Sequence, residues 1–340
     1  MEEATIRAII QRRYGRPDDV LELTDIDPPQ VKSNQVLVGI CSAAMHPDVW
    51  HVVTGYPRVL RVMGAGVFRP RVRVPGIDVA GTVEAVGDAV TRFEAGDEVY
   101  GASVTGHQWK NGGAFAELAA IGEDILEPKP ANVTFEQAAA APTSGLIALT
   151  NVWDAGGIAP GNRVLVNGAG GGVGSFSVQI AKAYGATVTA VDREDKLDML
   201  AAIGADHVLD YTKDDFTTQG ERYHMIIDIP GNRSFEDLKR VVADGGRYVL
   251  IGHDNFGAAG NRWIGGSIGR FLKLSMLAPF GRLQTDRSVA DESPQKALHD
   301  LLASGNLKPV IDRTFDLSEV IEALQYLEDR ATGGSIVMAV

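Results

Sequence analysis

The run Val164-Leu165-Val166-Asn167-Gly168-Ala169-Gly170-Gly171-Gly172-Val173-Gly174 constrains this chain more than any other stretch. An apolar, strand-like segment ends in a glycine-rich turn. Ser175-Phe176-Ser177-Val178-Gln179-Ile180-Ala181-Lys182 then follows with helical periodicity. Strand, tight turn and helix start let backbone approach a pyrophosphate, with helix N–H donors and a favourable dipole facing it. The next strand-like run, Ala186–Val191, ends in Asp192, about where a ribose-binding carboxylate belongs in a dinucleotide fold. A glycine cluster alone also suits a flexible loop. The strand, the helix and the acid around this one favour dinucleotide binding at Gly170, Gly171, Gly172, Val173 and Gly174.

The texture on either side of that turn differs. Up to about residue 125, short alternating runs sit between closely spaced turn signals, which predicts a small, largely β domain. Gln35–Ile40, Gly81–Gly87, Asp97–Gly101 and Ala114–Leu118 are its strand-like segments. From Thr134 helices and strands alternate. Strands are expected at 163–167, 187–192, 207–209, 225–228 and 247–251, with helices such as Lys196–Ile203 and Phe235–Val242 between them. Such alternation specifies a parallel sheet. The expected fold class is therefore α/β, a Rossmann-type sheet domain following a mainly β domain, and 340 residues suffice for both cores.

Bulk properties narrow the partners. A net charge of −12 argues against nucleic acid. No run reaches the ~18 apolar residues of a membrane span. The start, Met1-Glu2-Glu3-Ala4-Thr5, is acidic and leads into a strand-like run, unlike a signal peptide. Cys41 is the one cysteine, so no internal disulfide forms, and a reducing, cytoplasmic location is expected. Cys41 itself reads as a small buried residue rather than a reactive thiol.

Four further runs carry a family resemblance: Pro75–Val83, Phe93–Gly101, Gly112–Glu117 and Gly204–Val208. Together with the glycine turn they make the chain similar, over nearly its whole length, to the zinc-independent medium-chain dehydrogenases/reductases. The resemblance lies close to the NAD(P)H quinone oxidoreductase and enoyl-reductase branch. It implies that the chain returns to its first domain after the Rossmann sheet. The expected division is a GroES-like catalytic domain at 1–127 and 275–340, and a Rossmann domain at 128–274. It also implies an active site in the cleft between the domains, and a homodimer or homotetramer.

Metal binding is argued from residue types. A catalytic zinc needs three protein ligands, and a structural zinc needs four. In zinc-dependent relatives the first ligand falls near His46, the second at Ile77 and the third near Ser144, and isoleucine has no donor to offer. A four-cysteine site is impossible with one cysteine. His46, Asp48 and His51 are close enough in sequence to be weighed as a substitute cluster, but loop residues held by hydrogen bonds or solvent are the simpler account. No metal is expected.

Without a metal, hydride transfer needs a substrate that is already electrophilic. Quinones and α,β-unsaturated carbonyls meet that need, with the protein supplying position and oxyanion stabilisation. The expected activity is NAD(P)H-dependent reduction of such a hydrophobic small molecule. Reduction of aldehydes or ketones, and a non-catalytic nucleotide-binding scaffold, are the alternatives. Tyr56, between Gly55 and Pro57, matches a tyrosine of the quinone reductases and is the candidate donor to substrate oxygen; packing on its loop is the other reading. His46 stands where the family often has asparagine in Asn-Pro-x-Asp-Trp, and the acid of His46-Pro47-Asp48-Val49-Trp50 is displaced by one. His46 is either a proton donor or a hydrogen-bonding structural residue.

Cofactor choice is contested within the chain. Asp192 favours NAD(H) by accepting ribose hydrogen bonds and repelling a 2′-phosphate. Arg193 and Lys196 offer that phosphate a partner. The resemblance adds that Lys196, Tyr211 and Arg330 match NADPH-contacting positions of quinone reductases. The balance leans slightly to NAD(H). Two segments are less typical. Asp254–Arg287, apolar with Arg262, Arg270, Lys273 and Arg282, suits a lid or contact surface better than a lipid-seeking helix. Val59–Val74, with Arg58 beside it and Arg61, Arg69, Arg71 and Arg73 within it, would attract an anionic substrate or be simply solvated.

Overall fold

The computed structural model describes residues 5–58, 61–103, 110–154, 156–252, 273, 276, 293–329 and 332–340, with residues 63, 64 and 154 by backbone alone. The chain forms two compact units, Met1–Thr143 with Ile311–Val340, and Ser144–Val310. Both divisions fall later than the expected 127/128 and 274/275. The helix Phe135–Ala140 packs on strands of the first unit. Residues before Ile311 belong with the second unit: the Lys308 amide, for example, donates to Gln179 Oε1 at 2.8 Å.

The first unit is mainly β. Its strands are β1 (Ile6–Gln11), β2 (Leu21–Ile26), β3 (Gln35–Met45), β4 (Asp78–Val86), β5 (Glu98–Ala102), β6 (Leu118–Gly122) and β7 (Leu126–Pro128), with β13 (Ile311–Asp316) and β14 (Ser335–Ala339) arriving from the chain's end. β1 and β2 form an antiparallel pair. The larger sheet runs β13-β14-β3-β4-β5-β7, with β6 also on β3. The return of the chain is visible in the register of β14 on β3, where Ile336 faces Met45 and Ala339 faces Ser42. The helices are α1 (Pro17–Val20), α2 (Pro47–Thr54), α3 (Phe135–Ala140) and α9 (Val320–Glu328). Thr134 starts α3 with a capping box closed by Gln137. Ala114–Leu118 is not the strand its alternation suggested. Phe115 bonds to Ile9 and Pro75 through its backbone, Ala116 makes an isolated bridge to Ala8, and strand pairing begins at Leu118.

The second unit holds a five-stranded parallel sheet in the order β10-β9-β8-β11-β12. Its strands are β8 (Arg163–Asn167), β9 (Thr187–Asp192), β10 (His207–Asp210), β11 (Tyr223–Asp228) and β12 (Val242–Leu250), close to the runs expected. Helices α5 (Gly172–Ala183), α6 (Leu197–Ala202), α7 (Phe235–Val241) and α8 (Pro294–Ala303) accompany them, and α4 (Pro142–Asp154) leads in. Both sheet faces are covered, which is why β8 reads as an unbroken apolar run. Val164 and Val166 enter one core with Val178, Val188 and Leu200. Leu165 enters the other with Val191, Ile226 and Leu238. Apart from Lys273 and Met276, both exposed, the expected lid at 254–287 lies outside the described residues.

Candidate functional site

The glycine turn joins β8 to α5. The amides of Gly168 and Ala169 both donate to Val191 O on β9, at 3.0 and 3.1 Å, and Gly168 takes φ +79°. A side chain at Gly174 would meet Gly168 O at 2.2 Å, so that glycine is required by close packing of helix on turn. Gly171, the N-cap of α5, has open space beside it and no side-chain cap. Uncapped N–H groups at an open helix start fit a dinucleotide pyrophosphate.

Asp192 ends β9 and reaches back to that turn. Its Oδ2 accepts from Gly170 N at 2.7 Å and its Oδ1 from Arg193 N at 2.9 Å. Lys196 Nζ lies 3.4 Å from Oδ1, and both side chains are buried. Arg193 is turned to Asp195, with contacts of 3.1 and 2.7 Å. Tyr211, its ring exposed, donates its amide to Asp192 O at 3.1 Å. Gly170, Asp192 and Lys196 thus touch directly, with Arg193 and Tyr211 adjoining. Arg330 lies outside the described residues.

Asp228 forms a second buried cluster in this unit. Fully buried at the end of β11, it accepts from Asn167 Nδ2 at 2.9 Å, Gly231 N at 3.0 Å and Tyr248 OH at 2.8 Å. Burial pushes its carboxyl up despite these donors. Burial, and then the neighbouring Asp228, pushes the Tyr248 phenol up as well. The cluster ties β8, β11 and β12 together beside the glycine turn. An acid closing an apolar strand was its only sequence signal.

In the first unit, His46 and Tyr56 bracket α2. Pro47 fits the first helical position, and Gly55 ends the helix in the left-handed region at φ +65°. The amides of Gly55 and Tyr56 both donate to His51 O. His51 Nδ1 lies 2.7 Å from Tyr56 O, so His51 fixes the half-buried tyrosine's backbone. Gln11 Nε2 donates to Val53 O at 2.8 Å, and the Trp50 indole donates to Glu328 of α9.

At the other end of α2, His46 lies buried between two acids. Its Nδ1 is 3.9 Å from Asp48 Oδ2, and its Nε2 is 3.9 Å from Asp78 Oδ2. Asp78 also accepts from Thr143 N at 2.9 Å and from Thr143 Oγ1 at 2.7 Å. Burial pushes His46 down to about 4 and lifts Asp48 and Asp78 to about 7. Near neutral pH the imidazole is therefore uncharged, and these contacts are not ion pairs. His46 can offer a neutral ring N–H or an acceptor nitrogen. His46 Nε2 and Asp48 Oδ2 make no hydrogen bond among the described residues.

These residues do not fit a catalytic zinc. Among the described residues no group of three or more His, Cys, Asp or Glu could hold a metal ion. Ile77 is buried and has no donor. No helix among the described residues is long and apolar enough to cross a membrane.

A mainly β unit joined to a parallel sheet with a dinucleotide turn defines a two-unit nicotinamide oxidoreductase. Residues 32–131 match the alcohol dehydrogenase GroES-like domain, and residues 203–338 match the zinc-binding dehydrogenase family. The chain is 34% identical over 336 residues to a 2-methylene-furan-3-one reductase of Solanum lycopersicum, covering 95% of this chain and 76% of that one. It is 31% identical over 353 residues to a chloroplastic NADPH-dependent alkenal/one oxidoreductase of Arabidopsis thaliana, covering 98% and 79%. Among solved structures, an NAD-dependent alcohol dehydrogenase aligns with TM-score 0.79 and 30% identity, covering 98% of this chain and 99% of that one. The chain belongs to the medium-chain dehydrogenase/reductase superfamily.

Proposed function

We propose that this protein is a zinc-independent, NAD(P)H-dependent oxidoreductase that reduces quinones or α,β-unsaturated carbonyls. The observation that carries the reading is Ile77. An apolar residue stands where the zinc-dependent relatives have a ligand, so activation of the substrate falls to hydrogen bonds. The similarity to two reductases named for enone substrates supports the same class.

The bound reduced nicotinamide supplies the hydride. The turn Gly170–Gly174 holds the pyrophosphate with the N–H groups of the α5 start. Asp192 keeps acceptor capacity for ribose hydroxyls, since a carboxylate has about four lone-pair sites and two are taken by backbone amides. This leans the preference to NAD(H). Lys196 offsets the charge that would repel a 2′-phosphate, which leaves NADPH usable, and Arg193, Tyr211 and Arg330 complete the adenosine end. Hydride addition to an electrophilic carbon moves charge to oxygen, and a proton from solvent completes the reduction. The Tyr56 phenol donates a hydrogen bond there, and His46 serves as a neutral hydrogen-bonding group. The protein acts in the cytoplasm as a homodimer or homotetramer.

Loss of reduced-nicotinamide absorbance with a quinone, an enone and a saturated aldehyde tests the reading. Turnover of the quinone or enone with little of the aldehyde is expected. Turnover of the aldehyde alone favours the carbonyl reductase suggested by the aligned alcohol dehydrogenase. Dinucleotide binding with no turnover favours a scaffold.

A further inference from the structure

The loop after Tyr56 combines two features that the proposed activity does not use. It carries Arg58, Arg61, Arg69, Arg71 and Arg73, and from Val49 to Ile77 there is no Asp or Glu, in a chain of net charge −12. It also holds large apolar side chains in solvent: Phe68 is 91% exposed, Val62 72%, Val67 53% and Val72 45%.

The loop is held in place at both ends. Gly66 N donates to Arg61 O at 3.0 Å, closing a wide helical turn, and Arg71 N donates to Ala65 O at 3.0 Å. Tyr14 OH donates to Gly66 O at 2.5 Å, and the Arg61 guanidinium lies 4.3 Å from the Tyr14 ring centre. Gly66 takes φ +118°, where a side chain would strike Arg69 O at 2.1 Å. Further on, Asn111 Nδ2 donates to Val72 O at 2.8 Å and Gln11 N to Arg73 O at 2.7 Å. The tip Val67-Phe68-Arg69 is exposed between these anchors. Among the described residues, Arg58, Arg69, Arg71 and Arg73 make no ion pair.

We propose that this loop docks the protein on an anionic lipid bilayer, with Phe68 entering the interfacial region and Arg69, Arg71 and Arg73 meeting lipid phosphates. Aromatic and aliphatic side chains interleaved with arginine suit the headgroup boundary, where each residue type finds its own layer. A nucleic acid backbone would use the arginines but leave four apolar side chains in water. The acidic remainder of the chain weakens approach to any anionic surface, but charges beyond about 8 Å are screened at physiological salt. The local charge of the loop therefore governs contact, and binding is weak and salt-sensitive. The docking inference stands on the loop alone. Its value to the enzyme rests on the proposed substrate class, since quinones and enones with apolar tails collect in bilayers.

The test is cosedimentation of the full chain with phosphatidylcholine vesicles, with and without phosphatidylglycerol. Binding is expected only with the anionic lipid and is lost at high salt. Phe68→Ser should abolish most of it, and Arg69→Gln, Arg71→Gln and Arg73→Gln should each lower the partition coefficient about fivefold. Turnover of a water-soluble acceptor should be unchanged in these variants, which separates this inference from the reductase reading. No sedimentation with anionic vesicles at low salt overturns the proposal, as does equal binding by wild type and variants. A change of oligomeric state in Phe68→Ser, read by light scattering, would make the loop an interface between copies and also overturn it.

Discussion

The candidate sites of the two units solve the burial of charge in opposite ways. In the second unit Asp192 is surrounded by donors: the amides of Gly170 and Arg193, and the ammonium of Lys196. In the first unit, His46 and Asp48 are equally buried but leave Nε2 and Oδ2 without a hydrogen bond among the described residues. Burial pushes the Asp48 carboxyl toward its protonated form and the His46 imidazole toward its neutral one. A satisfied network holds a fixed shape for a ligand common to many enzymes, whereas unsatisfied buried atoms are costly and mark places where structure yields to chemistry.

The largest expected effect tests the first unit. Tyr56→Phe should lower kcat by about 10²–10³-fold, the loss of one oxyanion donor, with dinucleotide affinity unchanged. Equal losses in rate and affinity would erase the division of labour between the units. Gly174→Val tests the second. Its added atoms meet Gly168 O at 2.2 Å and Ala169 Cα at 2.6 Å. Dinucleotide binding, followed by fluorescence titration, should fall at least tenfold, with stability down by about 1–3 kcal/mol. Asp192→Ser should shift selectivity toward NADPH by about tenfold, the scale of a charged hydrogen bond. Unchanged kcat/KM ratios would assign the preference to the cations instead.

The smallest effect concerns pH. Asp48 titrates at about 7 in the folded protein and near 3.8 when unfolded, so the folded state holds the extra proton in between. Its contribution to stability is full below about 4 and declines as pH rises toward 7. Asp48→Asn should flatten that decline and raise the melting temperature at pH 8 by a few degrees, at about 2–4 °C per kcal/mol. A parallel shift at pH 4 and pH 8 would sink the idea.

Much of the second unit was legible from sequence because its signals are local. An apolar run, a glycine turn and a terminal acid lie within thirty residues, and β8 to β12 formed close to where periodicity put them. The first unit was less so. Ala114–Leu118 alternates like a strand, yet its backbone is used by Ile9 and Pro75, partners far away in sequence. His46 is buried beside Asp78, which Thr143 holds, and no spacing rule connects either residue to it. The same holds for Asp228, whose partners come from β8, β12 and the loop after β11.

The hydrogen bond from Gly170 to Asp192 has an evolutionary consequence. On the proposed function, the residue that would read the ribose also braces the turn that would receive the pyrophosphate, so nucleotide preference and turn shape would be inherited as one trait. A lineage moving from one dinucleotide to the other could not do so by a single exchange at 192 without loosening its own grip on both. The buried lysine beside it offers the gentler path, in which preference drifts while the brace stays whole.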